Sequence, residues 1–425
     1  MPAEHRDAPR LHGWRAPPLL AVAAVVAAAG FGQFGAVAAL GDVAAEFGEV
    51  ADGDEVAQQV GLSATTIGVG LAAIRLASLG SLPLAGLADR FGRRALLLVW
   101  AAVGLVLTMG AAASPSYWWF VAIFALSRPF LTATDALGAV AAAEQTASVD
   151  RSKAVALIAA AFGIGAGLIA VVRGVGADVL GFRGVFLLAG IPLVLLLVVR
   201  RWLEEPDRYQ SVSDAPDRPV PVLGAVARRH RARLVVVVVV VTFAVSLVTG
   251  PANSYLFVYG ENVLDLSPGV TSAMVVAAGP VGLLGLLLGR WGADALGRRG
   301  TAALALAGVA AAFTVTYSGS TPALIAGYLL AVTAGSTFAP AIGSLVAELF
   351  PTDVRATVTG WTVMGGVLGA VAGLMAFGAL SDAFDGFGPA AIVIATPAAL
   401  IGAVVFAVPE TKGRELEELE GAPSS

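Results

Sequence analysis

Apolar residues in this chain run in long unbroken stretches instead of alternating with polar ones. A helix needs roughly 20 apolar residues to cross the ~30 Å hydrocarbon layer of a bilayer. Twelve stretches approach or exceed that length: 18–40, 63–87, 95–113, 118–141, 154–174, 184–199, 234–258, 271–289, 301–318, 321–346, 357–380 and 388–408. The sixth and ninth are the shortest. Barrel strands alternate apolar and polar positions with period two, whereas 95–99 and 235–241 are apolar on every side. The pattern predicts an all-α integral membrane protein with twelve transmembrane helices. The first stretch exceeds the roughly 7–15-residue apolar core of a signal peptide, so it is expected to remain as a span.

Cations orient such a chain. With the N-terminus inside, cytoplasmic segments hold 22 of the 26 Lys and Arg residues, outer segments hold Arg173 and Arg183, and Arg75 and Arg128 fall within spans. The first outer loop, 41–61, carries six acids and no base. Both termini are therefore expected in the cytoplasm of a multi-pass cell-membrane protein. The longest polar stretch, 200–233, lies halfway along the chain. It divides the sequence into an N-terminal segment 1–17, a six-helix bundle 18–199, the linker, a second bundle 234–408 and a tail 409–425. Arg228, Arg229, Arg231 and Arg233 in the linker read as an anchor beside anionic lipid. Arginine outnumbers lysine 24 to 2, which hints at a GC-rich bacterial genome.

Composition removes several function classes. Only 13% of residues are charged, against roughly 25% in soluble domains, so a soluble enzyme is excluded. The chain has no cysteine, and its three histidines, His5, His12 and His230, all lie outside the spans. No thiolate nucleophile, triad or metal site can then sit in the apolar body, and neither metal nor cofactor is expected. A net charge of −4 gives no reason to expect nucleic acid. No phosphate-binding Gly-x-x-x-x-Gly-Lys-Ser/Thr loop is present for ATP, and no filter-like loop marks a channel.

The two halves repeat residue by residue. Gly86-Leu-Ala-Asp89-Arg-Phe-Gly92-Arg93-Arg94 follows the second span, and Gly292-Ala-Asp294-Ala-Leu-Gly297-Arg298-Arg299 follows the eighth, with Asp, Gly, Arg and Arg each displaced by 205. Glu144 precedes Arg151 by seven residues after the fourth span, as Glu348 precedes Arg355 after the tenth. Glu205 and Glu410, after the sixth and twelfth spans, are again 205 apart. Offsets of 205, 204 and 205 at three loops argue for duplication of a six-helix unit, as in many secondary transporters. Glycine lets each short loop turn, and arginines hold its ends at headgroups. Asp89 and Asp294 can accept hydrogen bonds from arginine or a helix N-terminus, so the two clusters are expected to act as a conformational latch that pairs and separates on the cytoplasmic side.

These residues carry a family resemblance. The segment Gly86 to Arg94 resembles the loop-2/3 signature of the major facilitator superfamily, and Gly292 to Arg299 its second copy. Pro409-Glu-Thr-Lys-Gly413 is similar to the motif after the last span of the sugar-porter branch. Glu348-Leu-Phe-Pro-Thr-Asp-Val-Arg355 resembles the stretch after span ten in sugar porters and metabolite–proton symporters. Gly181-Phe-Arg-Gly-Val-Phe-Leu through Arg200-Arg-Trp-Leu resembles their sixth span. The resemblance implies two six-helix bundles around a central cavity, alternating access, and conformational roles for Asp89, Arg93, Arg94, Glu144 and Arg151. It implies the same for their partners Asp294, Arg298, Arg299, Glu348 and Arg355. Three departures count against sugar as substrate. Leu203-Glu-Glu-Pro-Asp-Arg208 keeps only part of the Pro-Glu-Ser-Pro-Arg motif, Gln33 stands where an acid is usual, and Arg128 lies about one turn nearer Glu144 than the family's arginine does.

Three charges lie deep in spans: Arg75, Arg128 and Asp135. Arg75 is roughly 18 Å from either end of its helix, too far for an arginine to reach the interface. Such a charge costs ~2.5–3.5 kcal/mol to insert unless it finds a partner or water. Arg128 and Asp135, seven residues apart, share one helix face but are about 10 Å apart along the axis. Asp135 can neutralise one arginine, which leaves one positive charge. An arginine facing a cavity would hold an anionic substrate, and Asp135 could take up and release the coupling proton. Uncharged candidates are Gln33, Asn253 and Tyr255, in spans one and seven, which line the cavity in the resembled family. Glycines 163, 165, 167 and the run 365–373 fit close helix contact, and Pro280 and Pro340 mark kinks. The expected function is proton-coupled secondary transport of a small anionic or zwitterionic metabolite by a monomer in the bilayer. A drug–proton antiporter and a transport-incompetent membrane sensor are the alternatives.

Overall fold

A computed structural model describes residues 12–49, 56–147, 150–205, 232–350 and 352–412. Twelve described helices are long and apolar enough to cross a membrane: α1 (Pro17–Ala38), α2 (Ala64–Gly86), α3 (Arg93–Ala113), α4 (Tyr117–Gln145), α5 (Arg151–Gly176), α6 (Val179–Val199), α7 (Val235–Ser254), α8 (Pro268–Ala295), α9 (Arg298–Thr316), α10 (Thr321–Leu349), α11 (Thr357–Ala383) and α12 (Phe387–Ala407). These are the twelve spans read from the sequence, displaced by a few residues at their ends. No strand ladder occurs among the described residues; His12 and Thr146 form an isolated bridge. The linker arginines Arg228, Arg229 and Arg231 and part of the segment 41–61 lie outside the described residues, whereas Arg233 falls within the helix Ala232–Ser254.

Helix pairing repeats between the halves. α1 packs on α5 as α7 packs on α11, and α3 packs on α4 as α9 packs on α10. Glycine sets these contacts, because within hydrocarbon helices associate by close approach of their backbones. A Cβ at Gly165 would lie 1.8 Å from the Ala27 carbonyl oxygen, and one at Gly30 would lie 2.3 Å from that of Phe162. On α11, glycines 365, 369 and 373 step four residues at a time along Val239, Phe243 and Leu247 of α7. Gly163 and Gly167, included in the expected contact stripe, have open space where a Cβ would go.

The second span is interrupted where its repeat partner is not. α2 is α-helical over Ala64–Ala77, tightens to a 3₁₀ turn at Ser78–Gly80 and resumes at Ser81–Gly86. Pro83 has no N–H to bond the carbonyl four residues back, which frees the backbone of Leu79 to tighten. α8 and α10 continue as helices through Pro280 and Pro340. Gly289 leaves the space that the Pro340 ring occupies; a Cβ there would lie 2.5 Å from its Cγ.

The chain forms two compact units. The first comprises Met1–Ala38 with Ala77–Arg218, the second Ala39–Leu76 with Pro219–Ser425. The first part of α2, up to Leu76, therefore belongs with the C-terminal helices, not with the other N-terminal spans. Arg173, assigned from the sequence to an outer segment, is inside α5 and fully buried. Arg183 stays at a helix end, where it donates to the carbonyls of Ala112 and Ser114 at 2.8 and 3.0 Å.

The glycine contacts give a direct test. Gly369→Val and Gly373→Val should lower the melting temperature in detergent sharply, with an overpacking cost of about 1–3 kcal/mol or more. Gly163→Val should leave it within the scatter of the parent protein.

Candidate functional site

The duplicated turns build two matching charge clusters, each closed within its own half. We call them the basic-side clusters, after the arginine-rich segments of the sequence that carry them. Gly92 and Gly297 enter α3 and α9 at φ of +88° and +93°, backbone that L side chains rarely adopt. A Cβ would also press on a glutamate, lying 3.0 Å from Glu205 Oε2 at Gly92 and 2.6 Å from Glu410 Oε2 at Gly297. Those glutamates cap the helices. Glu205 accepts the backbone N–H groups of Arg93 and Arg94. Glu410 accepts those of Arg298 and Arg299 at 2.9 and 3.3 Å. A carboxylate at this position meets two orphan donors and the positive end of the helix dipole.

The first arginine of each pair then turns back across its cluster. Arg93 donates to the Ala88 carbonyl and to Glu144, both at 3.2 Å. Arg298 donates to the Ala293 carbonyl at 2.9 Å and to Glu348 at 3.1 Å, and lies 3.5 Å from Asp294. The second arginines tie the glutamate-bearing segments down: Arg94 to the Arg200 carbonyl at 3.1 Å, Arg299 to that of Val408 at 2.9 Å. Among the described residues, the ion-pair partner of Glu144 is Arg93, at 3.2 Å. Gly86 lies in the last turn of α2 with open space around it. The side chains of Asp89 and Arg355 lie outside the described residues.

Sequence reasoning recorded Glu205 and Glu410 as a repeat but gave them no role, although they are the hubs of both clusters. Burial alone would raise the Glu410 carboxyl, but four backbone N–H donors, from Arg298, Lys412, Arg299 and Thr411, hold it below the usual carboxylate value.

Within the spans, the candidates separate. Arg128 and Gln33 meet in the first unit, where Arg128 donates to the Gln33 carbonyl at 3.4 Å. The Gln33 side chain is buried, and its amide nitrogen has no partner among the described residues. Asp135 makes no hydrogen bond or ion pair with another described residue; Arg128 is the charge that acts on it. Arg75 belongs to the second unit, so the structure does not gather the three charges into one unit. Tyr255 is not among the residues lining the two cavities described below. It is fully buried against Phe377 and Phe387, with its hydroxyl donating to the Ala64 carbonyl at 2.8 Å.

Arg75 lines a cavity of about 480 Å³ with Thr242 and Ser246 of α7 and Thr359 and Thr362 of α11, closed by small and apolar residues. A second cavity of about 300 Å³ is lined by Thr249 and Asn253 of α7 and Ser336 of α10. Thr242, Ser246, Thr249 and Asn253 recur at steps of four, three and four, so they form one polar stripe along α7. Only Asn253 was singled out from the sequence. The signal was there, in hydroxyls at helical spacing within a valine-rich span. Among the described residues, no acidic side chain lines either cavity.

Residues 20–293 match the profile described as Major Facilitator Superfamily. The chain belongs to this superfamily. Residues 218–422 also match the profile described as Sugar (and other) transporter. No curated protein matches the chain by sequence. Among solved structures, the inward-open xylose transporter XylE of E. coli is 19% identical, with a TM-score of 0.70 over 94% of this chain and 98% of that one. A D-xylose–proton symporter is 20% identical, with a TM-score of 0.70 over 93% and 99%. The human organic anion transporter MFSD10 is 18% identical, with a TM-score of 0.62 over 92% and 99%. The protein is thus a multi-pass membrane transporter of small molecules, not an enzyme.

The glutamate hubs predict a pH dependence. A carboxyl held low in the folded state stabilises it above the ordinary titration range and loses that contribution as pH falls through the folded value. Glu410→Gln should melt below the parent protein at pH 7, and the gap should close as both are acidified below about pH 4.

Proposed function

We propose that the protein is a secondary active transporter that moves a small anionic or zwitterionic metabolite by alternating access, with proton symport as the driving reaction. The observation that carries this reading is Arg75 at the wall of a cavity of about 480 Å³ with four hydroxyls and no carboxylate. That volume suits a small metabolite. A guanidinium in a poorly hydrated site offers a planar pair of donors that matches a carboxylate, and the hydroxyls complete its hydrogen bonds. The fold shared with an organic anion transporter and with a proton symporter is compatible with both parts of the proposal.

Asp135 is the proposed proton carrier. It sits mid-span with no direct ion pair among the described residues, so its protonation is not opposed by the breaking of a salt bridge. Arg128, on the same helix face, would couple that protonation to the local field. No cofactor is required: the proton gradient supplies the energy. We place both termini in the cytoplasm of a bacterial cell membrane, on the distribution of arginine, and we assign the basic-side clusters the latch role. In that role the two clusters pair when the halves close on that side and separate when they open.

A thermal-shift screen of metabolites and drugs on the purified protein tests the anion reading. Carboxylates should stabilise the parent protein, and Arg75→Ala should abolish that shift. Stabilisation by lipophilic cations alone would overturn it in favour of drug efflux. For coupling, Asp135→Asn in proteoliposomes should abolish uptake driven by a pH gradient while leaving exchange of bound substrate intact.

A further inference from the structure

The end of α2 remote from its arginine turn is held by contacts that the transport reading does not use. The backbone N–H groups of Ala64 and Thr65 donate to the two carboxylate oxygens of Asp382 at 2.8 and 2.9 Å. The N–H of Thr66 goes to the local Ser63 hydroxyl at 3.1 Å. All three leading amides of the helix are thereby satisfied, two of them by a residue from the far end of α11. The Tyr255 hydroxyl donates to the Ala64 carbonyl at 2.8 Å, and Asp385 accepts the Val56 N–H at 3.2 Å.

Beneath this cap the two backbones touch. A Cβ on Gly68 would lie 2.4 Å from the Leu374 carbonyl oxygen, and one on Gly378 would lie 2.3 Å from that of Ala64. Ala64 and Gly68 share one face of α2, while Leu374, Gly378 and Asp382 share one face of α11. The two faces are notched for each other and closed at the end by a charge-assisted bidentate contact. All of these residues lie in the second compact unit.

We propose that Asp382 is the clasp of a gate at this end of α2. Separating the first turn of α2 from α7 and α11 exposes two amide donors and a carboxylate that now satisfy one another. Asp382 therefore sets how much of the population has this end shut. It touches no substrate, and it acts on transport by positioning α2. The proposal does not depend on which metabolite is carried.

The absence of cysteine makes the gate measurable, because one engineered thiol is the only target for a maleimide. Ala64 is 1% exposed, so Ala64→Cys should be shielded while the clasp is closed. In that background Asp382→Asn should speed labelling by a water-soluble maleimide about tenfold or more, the scale of losing a charge-assisted hydrogen bond. Asp382→Glu, which keeps the charge, should stay nearer the parent rate. Gly378→Val, which parts the same surfaces and leaves the carboxylate in place, should also speed labelling. Size-exclusion and circular dichroism confirm that each variant is folded. An unchanged rate in folded Asp382→Asn overturns the proposal; if that variant does not fold, an unchanged rate in folded Gly378→Val does so. Neither readout involves substrate, so a failed anion screen would leave this test intact.

Discussion

Backbone-to-backbone approach is the interaction on which the rest of this structure depends. In hydrocarbon, apolar side chains gain little by burial against one another, because lipid tails offer the same surroundings. Stability must come from surfaces that fit closely and from polar groups that find partners. Gly369 and Gly373 against the carbonyls of α7, and Gly165 against that of Ala27, supply the first. The capped N-termini of α3 and α9 supply the second. The same rule shapes the α2–α11 crossing, where glycine notches and a carboxylate cap act together.

The two basic-side clusters show how duplication preserves a physical solution, not merely a motif. In each copy a left-handed glycine opens the turn, a distant glutamate caps the helix that follows, and the first arginine bridges back to a second glutamate. The glycine and the glutamate are interdependent: a side chain at Gly297 would occupy the place of the Glu410 carboxylate. This mutual requirement explains why residues more than a hundred positions apart keep the same offset in both halves.

Much of this was legible beforehand. Twelve uniformly apolar runs admit few other structures, and a repeat holding at three loops identifies the duplication without any coordinates. The arginine turns and their glutamates were visible for the same reason. What was hidden depended on which helix face meets which neighbour. Tyr255 looked like a cavity residue but turns inward to grip Ala64. Asp382 was not singled out from the sequence, because its partners lie over 300 residues earlier in the chain. The polar stripe on α7 was readable from its spacing, but only the cavity beside it gives Thr242 and Ser246 a purpose.

The allocation of the first part of α2 to the second unit has a consequence for how this molecule can be divided. Val56, Val60, Ile67 and Leu71 are buried in the apolar cluster built mainly by the C-terminal helices. A cut through the long linker would follow the ancestral gene fusion, yet it would strip that surface of its cover. The midpoint of the sequence repeat and the boundary between the two compact units therefore fall in different places.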